Sequence, residues 1–209
     1  MQSSSPHATV KPRAPVTVGL TGGIASGKSS VSRLLAERGA VIVDADRIAR
    51  DLVRPGTEGL AALVAALGAE ILAADGTLDR PRLGARVFGD AEALRRLNGI
   101  MGPRIAAESR RQIAAAQGAA LVVYDAALIV EWGQADAFRP LVVVTAPPAV
   151  QQARLMARDG LTAEAAQARI AAQLPVADKA RLADHVLDNA GEPEALAAQV
   201  EALWQTLVP

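Results

Sequence analysis

The 209-residue chain predicts an α/β fold, a parallel sheet wound on both faces by helices. Three observations carry that reading. Short β-branched runs alternate with segments of helical spacing, the pattern of repeated strand–helix–strand units. The runs are apolar without interruption, which suits strands covered on both faces. A glycine-rich turn, Gly22 to Gly27, stands between the first run and the first helical pattern. Hydrophobic residues make up 51% of the chain and aromatic residues only 2%, so the core must be built from Ala, Val, Leu and Ile.

The elements follow in order. Val16 to Thr21 reads as the first strand, and Val31, Leu34 and Leu35 give the stripe of a helix beginning near Lys28. Val41 to Val43 is the second strand, with a short helix from Arg47 to Leu52. A long interval without a convincing strand comes next. Leu60, Leu63, Val64, Leu67 and Ile71 follow helical spacing, and Asp75-Gly76 marks a turn. Leu94, Leu97 and Met101 continue the helical pattern, Gly102-Pro103 is expected to break it, and Ile105 to Gln117 resumes it. Leu121 to Tyr124 and Leu141 to Thr145 are the third and fourth strands. Val150 to Leu174 reads as helical with a break at Gly160, His185 to Leu187 as a weaker fifth strand, and Glu194 to Leu207 as a closing amphipathic helix. The expected organisation is a single domain, 16–209, behind a disordered tail, 1–15. Its core comprises 16–50, 120–148 and 184–209, with a helical insertion over about 51–119 and a smaller helical arm over about 149–183.

Composition excludes several classes. Lys plus Arg and Asp plus Glu number 22 each, so no global field favours nucleic acid or an acidic membrane. Without cysteine there is no disulfide, thiol nucleophile or cysteine-ligated metal. The polar start lacks the apolar segment of a secretory signal, and no apolar stretch is long enough to span a bilayer. A soluble, cytoplasmic protein is expected. The oligomeric state stays open, with a monomer favoured.

The turn carries chemistry. From Gly22 the spacing reads G-x-x-x-x-G-K-S, through Gly23, Ile24, Ala25, Ser26 and Gly27 to Lys28 and Ser29, with Ser30 beyond. Glycines allow a tight turn whose N–H groups converge on phosphate oxygens, and the following helix adds the positive end of its dipole. Lys28 supplies a point charge for the β- and γ-phosphates of ATP, and the Ser29 hydroxyl is a ligand for Mg²⁺.

Asp44 and Asp46 follow the second strand. Ligands of open parallel sheets bind beyond the carboxyl ends of the strands, so both carboxylates belong at the cradle's edge. A carboxylate there can orient an acceptor hydroxyl toward the γ-phosphorus, while the other caps the short helix; spacing alone does not choose between them. Asp125 ends the third strand as an apolar run followed by an acid, a common Mg²⁺ support beside such cradles. Glu131 is a candidate substrate contact on the next loop, and Trp132 a packing residue. Arg154 and Arg158 share a helical face, with Arg169 on the next helix. Arginine on a mobile arm can close over ATP and stabilise the transferring phosphoryl, against the usual fate of a solvated basic face. Arg104, Arg110 and Arg111 on the insertion could meet a substrate diphosphate, but a solvated face is the expectation for them. No Thr-Lys-x-Asp guanine-reading motif is found, which argues against a GTPase, and the chain is too short for motor or transporter ATPases.

At these residues the sequence resembles the dephospho-coenzyme A kinase family, from Val16 to the C-terminal helix. The cradle matches with Ala25 where a glycine is more usual. Val-Asp-Ala-Asp-Arg-Ile-Ala-Arg (Val43 to Arg50), Val53 to Thr57, Asp75 to Arg80, Val87-Phe88, Leu97-Asn98, Ile170 to Gln173 and Asp188 to Gly191 also match. Two positions depart: the family normally has proline where Ala127 stands and histidine where Gly102 stands. The resemblance implies a P-loop NTPase core with a five-stranded parallel sheet flanked by helices, a helical acceptor-substrate insertion and a small helical lid. It implies ATP-dependent phosphorylation of the ribose 3′-hydroxyl of dephospho-coenzyme A. It implies Lys28 on the phosphates, Asp46 rather than Asp44 on the hydroxyl, Arg154 as the lid charge, and Asn189 near the adenine of ATP. The rival readings are a kinase for another small hydroxyl substrate and a nucleotide-gated module that hydrolyses ATP slowly or not at all.

Overall fold

The computed structural model describes residues 15–209; the polar tail, His7 included, lies outside the described residues apart from Pro15. Five parallel strands form one sheet: β1 (Val16–Gly22), β2 (Val41–Asp44), β3 (Leu121–Asp125), β4 (Leu141–Thr145) and β5 (His185–Asp188). Their spatial order is β2-β3-β1-β4-β5. The chain therefore reverses direction of travel at β1, and the edge beyond β1 and β3 is the crevice where such sheets bind ligands.

Alternation along the strands sends side chains to two cores. Val18, Leu20, Val123, Val142 and Val144 pack beneath α1 (Lys28–Glu37) and the C-terminal α9 (Pro193–Leu207). Val43, Val122, Tyr124 and Val143 face the opposite side, where α2 (Ala45–Asp51), α3 (Glu58–Leu67) and α5 (Ala91–Ala115) cover them. The strand residues in both sets are almost wholly buried, as uninterrupted apolar runs require.

Between β2 and β3 the chain forms α3, a 3₁₀ turn at Ala69–Ile71, α4 (Arg80–Val87) and α5. Ile71 thus leaves the helix its spacing suggested, because Gly68 at φ 97° ends α3 first. Asp79 caps α4 through the Arg82 N–H, a helix too exposed to give an apolar stripe. The expected break at Gly102-Pro103 does not occur: α5 runs straight through it and ends at Ala115. Proline removes one hydrogen bond and crowds the carbonyl four residues back, a cost of roughly 3 kcal/mol. Burial of Ala93, Met101 and Ile105 on the same helix outweighs it, and Arg104 Nη1 donates to the Ile100 carbonyl at 2.8 Å.

Between β4 and β5 lie α6 (Pro148–Asp159), α7 (Ala163–Ala171) and the short α8 (Val176–Ala180). Gly160, at φ 65°, separates the first two as its position predicts. Among the described residues no helix is long and apolar enough to cross a membrane.

Candidate active site

Steric limits shape the loop between β1 and α1. Gly27 lies at φ 95°, and a Cβ there would sit 1.9 Å from Asn189 Nδ2. A Cβ on Gly22 would meet the Val144 carbonyl at 2.7 Å, and one on Gly23 would meet Gln151 Nε2 at 2.4 Å. The Val144 backbone at Gly22 and the buried, hydrogen-bonded Asn189 at Gly27 cannot give way cheaply, so packing as well as the turn favours glycine there, while the Gln151 tip at Gly23 can shift. Ala25 occupies the left-handed region at φ 56° with a side chain, a conformation that strains an L-residue.

Two side chains from distant segments hold the loop. Asn189, buried just after β5, donates its Nδ2 to the Ser26 carbonyl at 2.8 Å. Gln173, just after α7, accepts the Ile24 N–H on Oε1 at 2.7 Å. The Asn189 carboxamide therefore braces the cradle from beneath.

Lys28 opens α1 and points at the acids. Its Nζ pairs with Asp125 Oδ1 and lies 3.7 Å from Asp46 Oδ2. Strand register brings this about: Asp44 on β2 stands opposite Asp125 on β3, both at the carboxyl end of the sheet. Asp44 caps α2, accepting the Arg47 N–H at 2.8 Å, which frees Asp46 in the first helical turn to face Lys28. Asp46 is 46% exposed and Asp125 only 6% in their side chains, so the former is open to a substrate and the latter is enclosed. Burial pushes the Asp125 carboxyl above its ordinary value; Lys28 and the Ser32 hydroxyl, which donates to Oδ2, pull it back. Ser29 is exposed in the first turn of α1. Among the described residues no cluster of three or more His, Cys, Asp or Glu could hold a metal by itself.

The arginines separate by environment. Arg154 Nη1 on α6 is buried without a hydrogen-bond partner. Arg158 and Arg169 both reach Asp159, at 2.8 and 3.0 Å. Arg104 bonds its own helix and Arg111 pairs with Glu108, whereas Arg110 is exposed. Glu131 meets Lys179 at 2.7 Å. Trp132 is 45% exposed and stands over a cavity of about 430 Å³ that Ala49, Val53, Leu83 and Met101 line with apolar surface. It is a wall of that cavity, where the sequence suggested packing alone.

Five further residues shape the site beyond those the sequence singles out for it. Ser32 lies one turn beyond Lys28 on the same helical face, so helical spacing could have found it. Gln173 closes a segment that matches the family, yet neither it nor Gln151 carries a local signal of contact with the cradle. Lys179 on α8 is completely buried and donates to the Ala127 carbonyl at 2.9 Å; a helical lysine ordinarily reads as solvated. Thr21 Oγ1 donates to the same carbonyl at 3.0 Å. Ala127, the position of the departure from proline, is thereby fixed by two donors.

The family model described as "Dephospho-CoA kinase" matches residues 16–194. A dephospho-CoA kinase of Anaeromyxobacter dehalogenans is 52% identical over 192 residues, covering 91% of each chain. One from Streptomyces avermitilis is 49% identical over 191 residues, covering 91% of this chain and 93% of its own. A crystal structure from Thermus thermophilus superposes with a TM-score of 0.83 at 31% identity, covering 94% of this chain and all of that one. A family model matched over most of the chain and relatives at 52% and 49% identity over 91% of it together show that the chain belongs to the dephospho-CoA kinase family.

Proposed function

We propose that this protein transfers the γ-phosphoryl group of ATP to the ribose 3′-hydroxyl of dephospho-coenzyme A, giving coenzyme A and ADP in the final step of coenzyme A biosynthesis. The observation that carries the reading is the convergence of Lys28, Asp46 and Asp125 at the sheet edge, beside the phosphate cradle.

In this reading the loop N–H groups and the start of α1 hold the triphosphate, with Lys28 on its outer phosphates. Asp46 accepts a hydrogen bond from the 3′-hydroxyl and aims its oxygen at the γ-phosphorus. Transfer is direct and in line, without a phosphorylated protein. Orientation and charge neutralisation supply most of the acceleration, so Asp46 needs no raised basicity. Arg154 rides on α6 of a lid made of α6 and α7, and its unpaired buried Nη1 has hydrogen-bonding capacity left for a phosphoryl oxygen. The insertion α3 to α5 holds the acceptor. Asn189 acts on the nucleotide through the loop it braces.

The donors also fit Mg²⁺, a hard ion that takes oxygen ligands and keeps several waters. The Ser29 hydroxyl is exposed for direct contact, and Asp125, whose oxygens are engaged by Lys28 and Ser32, would act through water. Mg²⁺ bound there would neutralise charge on the β- and γ-phosphates.

An acceptor panel tests the proposal: dephospho-coenzyme A against nucleosides and gluconate, with and without Mg²⁺, reading ADP release. Release that depends on dephospho-coenzyme A and Mg²⁺ is expected. Equal release with another acceptor, or none with any, would refute it.

A further inference from the structure

The lid segment between β4 and β5 meets the cradle at two consecutive residues, Gly23 and Ile24. A Cβ on Gly23 would sit 2.4 Å from Gln151 Nε2 on α6 and 3.6 Å from Val176 Cβ on α8. Those are packing contacts. The third is a directed bond: Gln173, in the connection between α7 and α8, accepts the Ile24 N–H on Oε1 at 2.7 Å. Loop N–H groups of this kind ordinarily converge on phosphate oxygens. Each carries one proton, and Ile24 commits its own to a side chain 149 positions along the chain. The bond therefore ties the cradle to the lid instead of adding another hold on the triphosphate.

The lid passes that tie on to Arg154. Gln173 lies just beyond the end of α7. In turn α7 is joined to α6 by Gln152 Nε2, which donates to the Ala163 carbonyl at 3.0 Å, and by Arg169, which reaches Asp159 at 3.0 Å. Leu155 on α6 and Ala166 on α7 are fully buried, and close-packed helices transmit displacement instead of absorbing it. Arg154 follows Gln151 by three residues on α6, which places it on the helix face that meets Gly23. Further along, Lys179 fixes α8 to the Ala127 carbonyl. Among the described residues, Gln173 is the lid's hydrogen bond to the cradle itself.

We propose that Gln173 is a positioning residue for phosphoryl transfer: by holding the Ile24 N–H it sets the spacing of lid and cradle, and thereby where the Arg154 guanidinium meets the transferring group. The inference rests on the proposed function and on the part that Arg154 plays in it. Arginine stabilises a phosphoryl group only in contact with it, and a misplacement of about 1 Å can cost roughly a hundredfold in rate. One hydrogen bond at the root of the lid therefore has leverage on turnover without touching substrate.

The test places Gln173→Met, which keeps the length and removes the acceptor, in the parent and in Arg154→Ala. Gln173 is half-buried beyond a helix end, so the fold survives its replacement, and thermal unfolding checks this. The readouts are kcat from ADP release with dephospho-coenzyme A, and the Kd of ATP from calorimetric titration. In the parent, Gln173→Met is expected to lower kcat about threefold to tenfold, the scale of one hydrogen bond, with the Kd of ATP within about twofold. In the Arg154→Ala background the same substitution should change kcat by less than about twofold, because the charge it positions is gone. Equal losses in both backgrounds would mark a structural prop, and a Kd that weakens as much as kcat falls would mark a binding residue. Either result, or an unchanged kcat in the parent, overturns the proposal. A parent protein that releases no ADP with dephospho-coenzyme A would instead overturn the function on which it rests.

Discussion

Lys179 offers the sharpest test of the packing behind the site. It is completely buried, 2.7 Å from Glu131 and 2.9 Å from the Ala127 carbonyl. Lys179→Met keeps the volume and removes the charge, so cavity formation contributes little. The Ala127 carbonyl retains Thr21 as donor. Glu131 is left without its cation, and breaking one side of a buried pair costs about 3–5 kcal/mol. Its side chain is still 21% exposed, so water moderates the loss and about 3 kcal/mol is expected. For a domain of this size that lowers Tm by roughly 6–12 °C. Lys179→Met with Glu131→Gln should recover most of the loss, since neither partner then carries an orphaned charge. Turnover should fall in the single variant too, because the loosened loop begins at Asp125. Thermal unfolding of the parent, both single variants and the double variant completes the cycle. A single variant within a degree of the parent, or a double variant less stable than either single, would refute the reasoning.

Other perturbations isolate other contacts. Ala25→Gly relieves a left-handed residue worth about 1–2 kcal/mol, offset by roughly 0.4–1 kcal/mol of added chain freedom. A Tm rise of about 1–4 °C is therefore expected by calorimetry, and a fall would show that Ala25 is not strained. Lys28→Ala and Asp46→Asn should each lower kcat at least about a hundredfold with unfolding unchanged, and near-parental kcat in either would remove that residue from the chemistry. Arg154→Ala should reduce kcat more than it weakens ATP binding; the reverse split would make it a binding residue only. For Asp125 the sign follows from its raised pKa. As pH falls through that raised value the carboxyl protonates and Lys28 loses its partner, so the acid limb of activity should lie above the ordinary pKa of 3.8. In stability the same shift is favourable on the acid side and is lost as pH rises through it. Asp125→Asn should flatten both profiles, and unchanged pH dependence would exclude the group.

The strands and the cradle were legible because local rules set them. Uninterrupted apolar runs, glycine at tight turns and a lysine at a helix start act over a few residues, and all five strands fall within a residue or so of their expected bounds. The helix through Pro103 was not legible, since burial of Met101 and Ile105 against other helices decided it over a local penalty. Nor could spacing choose between Asp44 and Asp46. The family resemblance favours Asp46, and capping geometry is consistent with it: Asp44 takes the helix N–H and Asp46 faces Lys28.

A parallel α/β sheet, a phosphate cradle ending in Lys28 and acids at the strand ends were thus readable from residue order, because each is set by contacts between near neighbours in the chain. The strand order, the Lys179–Glu131 pair, the props of Asn189 and Gln173 on the loop, and the cavity walled by Trp132 emerge only from the folded arrangement. Those features join residues far apart in the chain, and a side chain's partner across such a distance leaves no periodicity to read.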